Sequence, residues 1–125
     1  MTRQMLEAIH QAQIREHGGS PGVRDEGLLE SALARPQHKF AYATKAEWGT
    51  LAAAYAFGLA KNHGFADGNK RVAFMAAYVF LGLNGYDLDA DEPQIVATME
   101  GVAASEVTEV ALAKWFKAHL QPIQT

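Results

Sequence analysis

Two apolar segments flank a short polar stretch near the middle of the chain. Residues 51–60 (LAAAYAFGLA) and 72–83 (VAFMAAYVFLGL) are apolar on nearly every face of a helix, whereas residues 63–71 (HGFADGNKR) are mostly polar. Helices that are apolar all round belong inside a protein, and a bilayer span needs about 20 apolar residues. The pattern therefore predicts two buried helices, about 46–62 and 68–84, joined by a polar loop. We call residues 63–71 the motif loop.

The N-terminal pattern predicts a helix over residues 3–17. Its apolar stripe is formed by Met5, Leu6, Ile9 and Ala12. His10 and His17 lie seven residues apart, about 10 Å along a helix axis, which is too far to bind one metal ion together. Both histidines are therefore interpreted as surface or capping groups.

A second, shorter helix is predicted to begin after Asp25, which is a good N-cap residue, and to stop before Pro36. No clear period survives over residues 35–45. Two interpretations of this segment stay open: a loop or flap that closes over the motif loop, or a surface connection.

Two more helices are predicted in the C-terminal third. Asp91-Glu92-Pro93-Gln94 has the spacing of a capping box, which predicts a helix over about 91–101. Ser105 is the predicted cap of a final helix that ends near Leu120 and Pro122. The sum is an all-α chain of about six helices forming a single domain over residues 1–125, with no strand expected.

Composition narrows the function classes. The chain has 125 residues, a formal net charge of −3 and no cysteine. The charge argues against a global attraction to nucleic acid or to an anionic membrane, so any anion site must be local. Without cysteine there is no disulfide framework, thiolate zinc site or cysteine nucleophile, which fits a reducing compartment. The polar N-terminus lacks the apolar run of a signal peptide, and a cytoplasmic location is expected.

The second half of the motif loop has the features of a phosphate site. Gly68, Asn69, Lys70 and Arg71 fall in the first turn of a buried helix, where backbone N–H groups have no partner in the helix and the dipole is positive. Glycine allows a close approach, the asparagine amide can donate, and the two cations add charge. These four residues are the predicted phosphate-binding and nucleotide-binding residues.

The first half of the motif loop adds a metal ligand and a proton acceptor. Asp67 cannot contact a phosphate directly, because both are anions, but it can do so through Mg²⁺, which accepts one carboxylate together with water and phosphate oxygens. His63 is the nearby residue whose unperturbed pKa suits proton transfer near neutrality. The set predicts transfer of a phosphorus group from a Mg²⁺-bound nucleotide.

Folding alone offers an explanation for each residue taken singly. Asp67 can serve as the N-cap of one helix, His63 as the C-cap of another, and Arg71 as a surface cation. Taken together, a dense polar run between two buried helices favours a functional site over a purely structural loop.

The string HGFADGNKR resembles the signature of the Fic/Doc superfamily, His-x-Phe-x-Asp/Glu-Gly-Asn followed by phosphate-binding residues. Residues 18–36 and 61–85 are similar to the Doc branch, the death-on-curing toxins of toxin–antitoxin pairs. The resemblance implies that His63 activates the target hydroxyl, that Asp67 holds Mg²⁺ and that Phe65 is structural. Arg24 and Asp25 are assigned a role in the fold, as a cap with an ion pair.

Two departures from the AMP-transferring branch imply a kinase. That branch has glycine where this chain has Lys70, and a second arginine where this chain has Phe74. The resemblance to the Doc branch implies transfer of the ATP γ-phosphate to a hydroxyl group of elongation factor Tu, which arrests translation and growth. It also implies an antitoxin partner whose flexible segment folds into a groove beside the site.

Three alternatives remain open from the sequence. Gly68 is compatible with AMP transfer, because the AMP-transferring branch also has glycine there. A catalytically silent module could keep the fold and bind a partner through a helical groove. A metal-dependent hydrolase centred on His63 and Asp67 is disfavoured because the motif loop offers few ligands.

Overall fold

The computed structural model describes residues 1–42 and 48–123 and has six helices with two short strands in this part of the chain. The helices are α1 Arg3–His17, α2 Glu26–Tyr42, α3 Trp48–Asn62, α4 Asn69–Leu83, α5 Glu92–Ala103 and α6 Glu109–His119. The strands, β1 Tyr86–Leu88 and β2 Leu120–Pro122, pair antiparallel. The predicted all-α class and the six helices are confirmed.

Helix α3 lies at the centre of the molecule. It makes the most extensive contacts of any helix, with α2, α4 and α6 packed around it. Its alanines at positions 52, 53, 54, 56 and 60 are fully buried. Small side chains let the surrounding helices approach closely, and burial of this apolar surface is the main driving force for folding. Because α3 ends at Asn62, its central position places the start of the motif loop at the end of the buried core.

The starts of α1 and α5 agree closely with the predicted ones. The Thr2 hydroxyl accepts from the Met5 N–H and caps α1, which spans the predicted residues 3–17. Asp91 forms the complete capping box with Gln94 at the start of α5. These side chains satisfy backbone donors that have no partner inside the helix. Periodicity was therefore sufficient to place the start of α1, and the capping box to place that of α5.

The predicted stop before Pro36 is wrong. Helix α2 continues through Pro36 to Tyr42, so the predicted loop or flap is helical over residues 35–42. Its remaining residues, 43–45, lie outside the described chain, as does the predicted start of α3 at Ala46.

Packing against α3 explains why α2 continues. A proline within a helix costs roughly 3 kcal/mol, because it lacks the N–H and its ring crowds the preceding turn. Leu29, Ala32 and Pro36 are buried along one face of α2. A Cβ atom added at Gly58 of α3 would lie 2.8 Å from Cδ of Arg35, which measures how closely the two helices approach. Burying this face offsets the cost of the proline.

Two further predictions in the C-terminal third are wrong. The cap of α6 is Thr108, whose hydroxyl accepts from the Ala111 N–H, and not Ser105. Ser105 has a φ of 62° and belongs to the turn that ends α5. The chain also contains strands, although none was expected. They are three residues long and pair in the register Tyr86 with Pro122.

No helix in residues 1–42 and 48–123 combines the length and the apolar character needed to cross a membrane.

Candidate active site

The motif loop runs from the C-terminus of α3 into the first turn of α4, so its residues 69–71 are helical. His63 is the first residue after α3 and has a φ of 53°, a left-handed conformation that is uncommon for residues other than glycine. Gly64 and Phe65 are buried, whereas His63 and Asp67 are exposed. The loop therefore turns its apolar residue inward and its two reactive side chains toward solvent, as the sequence predicted for Phe65.

A segment from the N-terminal part of the chain holds this loop in place. Val23 and Phe65 form an isolated antiparallel bridge. The backbone N–H groups of Arg24 and Asp25 both donate to the Gly64 carbonyl, at 2.8 and 3.0 Å. Pairing with a distant extended segment gives the loop backbone partners that its own helices cannot provide.

Arg24 and Asp25 have roles in the fold, as predicted. Asp25 is the expected cap, whereas Arg24 makes a hydrogen bond in place of the expected ion pair. The Asp25 carboxylate accepts from the Leu28 N–H at 3.1 Å and so caps α2. The Arg24 guanidinium donates from Nε to the His63 carbonyl at 2.8 Å, a hydrogen bond where an ion pair was expected. Arg24 thus contacts the backbone of the residue predicted to accept the proton.

Asn69 holds the loop from the other side. Its Oδ1 accepts from the Phe65 N–H and its Nδ2 donates to the Phe65 carbonyl, both at 3.0 Å. The side chain was predicted to bind phosphate, but its visible contacts are to the loop backbone. Because an amide nitrogen carries two hydrogens, Nδ2 retains one for a ligand.

The N-terminus of α4 is open to a ligand. Gly68 is the N-cap, with φ 77° and ψ 17°, and has no side chain to cap the helix. The first backbone hydrogen bond of the helix runs from the Val72 N–H to the Gly68 carbonyl. The N–H groups of Asn69, Lys70 and Arg71 therefore have no acceptor inside the helix, and they lie at the positive end of its dipole. This geometry attracts an anion such as phosphate.

The side chains of Lys70 and Arg71 lie near this helix end and are exposed. Lys70 Nζ is 3.9 Å from a carboxylate oxygen of Glu100 on α5, and Arg71 donates to the Gly18 carbonyl at 3.3 Å. An exposed ion pair of this length contributes little to stability, so Lys70 can turn to a bound phosphate at small cost. Arg71 is held by one long, exposed hydrogen bond and can also turn.

Asp67 is fixed in place by backbone donors. Its Oδ1 accepts from the Gly68 N–H at 2.8 Å, and its Oδ2 accepts from the Ser20 N–H at 3.3 Å. Each carboxylate oxygen has two lone pairs, so both retain capacity for a cation. No group of three His, Cys, Asp or Glu side chains that could hold a metal occurs among the described residues. One carboxylate completed by phosphate oxygens and water fits Mg²⁺.

His10 is a site residue that the sequence interpretation missed. Expected at the surface, it is only 3% exposed. Its ring stacks on Phe65 with centroids 3.9 Å apart, and its Nε2 lies 2.9 Å from the Asp67 carbonyl oxygen. Leu6, His10 and Gln13 are the buried residues of α1 and lie at helical spacing on one face. That spacing was the available signal, whereas His17 is exposed as expected.

A groove of about 430 Å³ opens beside the N-terminus of α4, between α1, α4 and α5. Lys70 and Arg71 lie at its polar side, and Phe74 lines it one turn further along α4. Its other lining residues include Gln13, His17, Met75, Glu92, Ile95, Val96, Met99 and Glu100. Most of the exposed surface of the groove is apolar, and Lys70 and Arg71 of the motif loop lie at one end of it.

Comparison with known proteins supports the resemblance seen in the motif loop. A model of the Fic/DOC family matches residues 1–81. Protein kinase doc of Escherichia phage P1 is 34% identical over 108 residues, which cover 86% of this chain and 85% of that protein. Toxin Doc of Mycolicibacterium smegmatis (strain ATCC 700084 / mc(2)155) is 49% identical over 77 residues, covering 59% of this chain and 58% of that protein.

Proposed function

This chain belongs to the Fic/DOC family, and on that premise we propose that it is a Doc-type toxin that transfers the γ-phosphate of ATP to a hydroxyl group of a protein. The observation that carries the proposal is the open N-terminus of α4. Three backbone N–H groups, Lys70 and Arg71 lie there directly after the exposed carboxylate of Asp67. A phosphate chain with a bound Mg²⁺ suits this combination. The similarity to proteins named protein kinase doc and toxin Doc supports it.

In this mechanism the protein acts by positioning and by charge stabilisation. The N–H groups at the start of α4, with Lys70 and Arg71, hold the phosphates. Asp67 would hold Mg²⁺, which neutralises phosphate charge when bound. His63 accepts the proton of the attacking hydroxyl as its oxygen bonds to the γ-phosphorus. The bond from that phosphorus to the bridging oxygen breaks, and ADP leaves.

Lys70 and Phe74 favour phosphoryl transfer over AMP transfer. In the AMP-transferring branch, a glycine and an arginine stand at these positions to accommodate the inner phosphates and bind the terminal one. Here Lys70 extends toward Glu100, and the ring of Phe74 lies 5.9 Å from that of Tyr78 along α4. The left-handed Gly68 is the feature that keeps AMP transfer as the second candidate.

Separate labelling of ATP distinguishes the two reactions. The protein is incubated with purified elongation factor Tu, Mg²⁺ and ATP labelled at either the α or the γ position. We expect label on the target from γ and none from α. Label from α and none from γ would refute the kinase proposal and favour AMP transfer.

His63→Ala is the matched control for this experiment. His63 is exposed, so the substitution removes few side-chain contacts. Because its φ of 53° suits alanine less well than histidine, circular dichroism and a melting temperature are measured alongside to verify that the fold is kept. We expect transfer to fall by at least about a hundredfold, because general base catalysis contributes on that order. Transfer at the wild-type rate would remove His63 from the mechanism.

We further propose elongation factor Tu as the target and an antitoxin as the regulating partner, in line with the Doc branch. The apolar groove beside the motif loop suits the apolar face of an amphipathic segment. Because Lys70 and Arg71 line one end of it, a segment seated there would lie against the proposed phosphate-binding residues. Occupation of the groove would therefore compete with ATP.

A further inference from the structure

A buried histidine lies directly beneath the motif loop and has no part in the mechanism described above. We propose that His10 is a positioning residue that fixes the backbone of Asp67 for the transfer reaction. This inference rests on the proposed function for its catalytic consequence. It rests on contacts of the described residues for its geometry.

The hydrogen bond between His10 and Asp67 has a defined direction. Nε2 of His10 lies 2.9 Å from the carbonyl oxygen of Asp67. A carbonyl oxygen can only accept, so Nε2 must carry the hydrogen. With the Ser20 and Gly68 N–H groups on the carboxylate, this bond holds Asp67 at three separate points. Both the direction of the side chain and the plane of the next peptide are thereby fixed.

Stacking adds a second constraint from the same ring. The rings of His10 and Phe65 are 3.9 Å apart between centroids and only 14° from parallel. Phe65 is 2% exposed, and its backbone is held by Asn69. The imidazole therefore sets the distance between α1 and the motif loop through its stacking on Phe65.

The approach of α1 to the start of α4 is close. A Cβ atom added at Gly68 would lie 3.5 Å from Cδ1 of Ile14 and 4.0 Å from Cδ2 of His10. A movement of the imidazole would therefore displace Gly68, the N-cap of α4, where the proposed phosphate site begins. His10 thus acts on the site through Asp67 and Gly68, and not by contact with substrate.

Chemistry favours this role over simple packing. A fully buried polar group is costly unless it is hydrogen-bonded, so an apolar side chain would fill the same space at lower cost. Among residues 1–42 and 48–123, the hydrogen bond of this ring is to the backbone of the proposed metal ligand. Removal of a group that hydrogen-bonds to a metal ligand and orients it typically lowers metal affinity or activity by tenfold or more.

Three variants separate the hydrogen bond from packing. His10→Phe keeps an aromatic ring against Phe65 but removes the donor. His10→Gln keeps an N–H at about the position of Nε2 but removes the ring. Leu6→Val, one turn earlier on the buried face of α1, changes core packing while His10 and its hydrogen bond are kept, and it is the stability control.

The first measurement is amide hydrogen exchange of the motif loop, which needs no catalytic activity. We expect His10→Phe to speed exchange at Ala66 and Gly68 by roughly tenfold, with His10→Gln within about threefold of wild type and Leu6→Val unchanged there. Loop exchange at the wild-type rate in His10→Phe would overturn the inference, whether or not the protein transfers phosphate.

The second measurement is the Mg²⁺ concentration that gives half-maximal transfer. We expect it to rise roughly tenfold in His10→Phe, to recover in His10→Gln and to stay constant in Leu6→Val. Equal shifts in His10→Phe and His10→Gln would indicate packing alone and overturn the inference. A wild-type protein without transfer from either label would refute the proposed function, while the exchange result would still decide the role of His10 in the loop.

Discussion

At the scale of the residue, Gly19 lies where any side chain would push against Asp67. A Cβ atom at this position would be 2.6 Å from Oδ2 and 3.1 Å from Cγ of Asp67. Its φ of 116° is also a conformation that residues with a side chain rarely adopt. Gly19 therefore leaves room for the proposed Mg²⁺ ligand and permits the turn that brings Ser20 to it.

We predict that Gly19→Ala lowers the transfer rate by about tenfold or more, because the carboxylate must move from its place. Gly85→Ala is the control: Gly85 also has a positive φ, of 88°, and nothing lies within 4 Å of its added Cβ. Both variants should show a reduced melting temperature from backbone strain of order 1–3 kcal/mol. Equal activity in the two variants would mean that the position of the Asp67 carboxylate is not critical.

The contiguous residues of the site could be found from the sequence, but their supports could not. His63, Asp67 and Lys70 stand within one short string, so a single motif reveals them together. His10 contacts that string across 57 positions. A lone histidine on an amphipathic helix gives no sign of such a partner, because the contact depends on how α1 packs against the loop.

At the scale of the element, α5 forms one wall of the groove. It carries Val96, the most exposed of the apolar residues that line the groove. Val96 is 49% exposed, whereas Met99, one turn further along, is 4% exposed. A half-exposed valine at the edge of an apolar groove provides contact area for a partner helix.

We predict that Val96→Asp abolishes protection by the antitoxin while leaving phosphate transfer unchanged. A buried unpaired carboxylate would be costly in the bound state but not in the free protein. The measurement is growth on co-expression with an antitoxin that protects against the unsubstituted protein, alongside the labelled-ATP assay. Val110→Asp is the control, because Val110 is 68% exposed on α6 and does not line the groove. If both variants kept antitoxin protection, the partner would bind elsewhere.

Element ends were predictable where a side chain decides them and unpredictable where packing does. Asp91 and Gln94 cap each other locally, so the sequence was sufficient. Serine is a somewhat better cap residue than threonine by type, so residue type alone favours Ser105. The choice falls on Thr108 because the N–H groups of Glu106 and Val107 both donate to the Gly101 carbonyl, which extends the end of α5 past Ser105.

At the scale of the whole molecule, one apolar core connects the six helices of the described chain. Buried residues from α1 to α6 belong to a single cluster, with α3 at its centre. A core that no boundary divides is expected to unfold as one unit.

We predict a single cooperative unfolding transition, which tests the assignment of residues 1–125 to one domain. Trp48 on α3 and Trp115 on α6 both pack against the core, so fluorescence follows its loss while circular dichroism follows the helices. The midpoints in urea should coincide. Two separated midpoints would indicate two independent units.

The all-α architecture followed from the sequence because helical periodicity is strong over most of the chain. The small sheet did not follow, because three-residue strands carry too little alternation to be recognised. The pairing of Tyr86 with Pro122 joins the end of α4 to the end of α6, so it arises from where those helices place their ends.

The bridge between Val23 and Phe65 shows that the motif loop is held by the N-terminal part of the chain. The recorded backbone contacts of the motif loop come from residues before α5, within the part matched by the family model, whereas α5 supplies much of the groove wall. A chimera that exchanged α5 and α6 for those of a relative would therefore inherit a new partner preference on an unchanged reaction centre. Lys70 on α4 contacts Glu100 on α5, so the exchanged helix must keep a side chain compatible with Lys70 at that position.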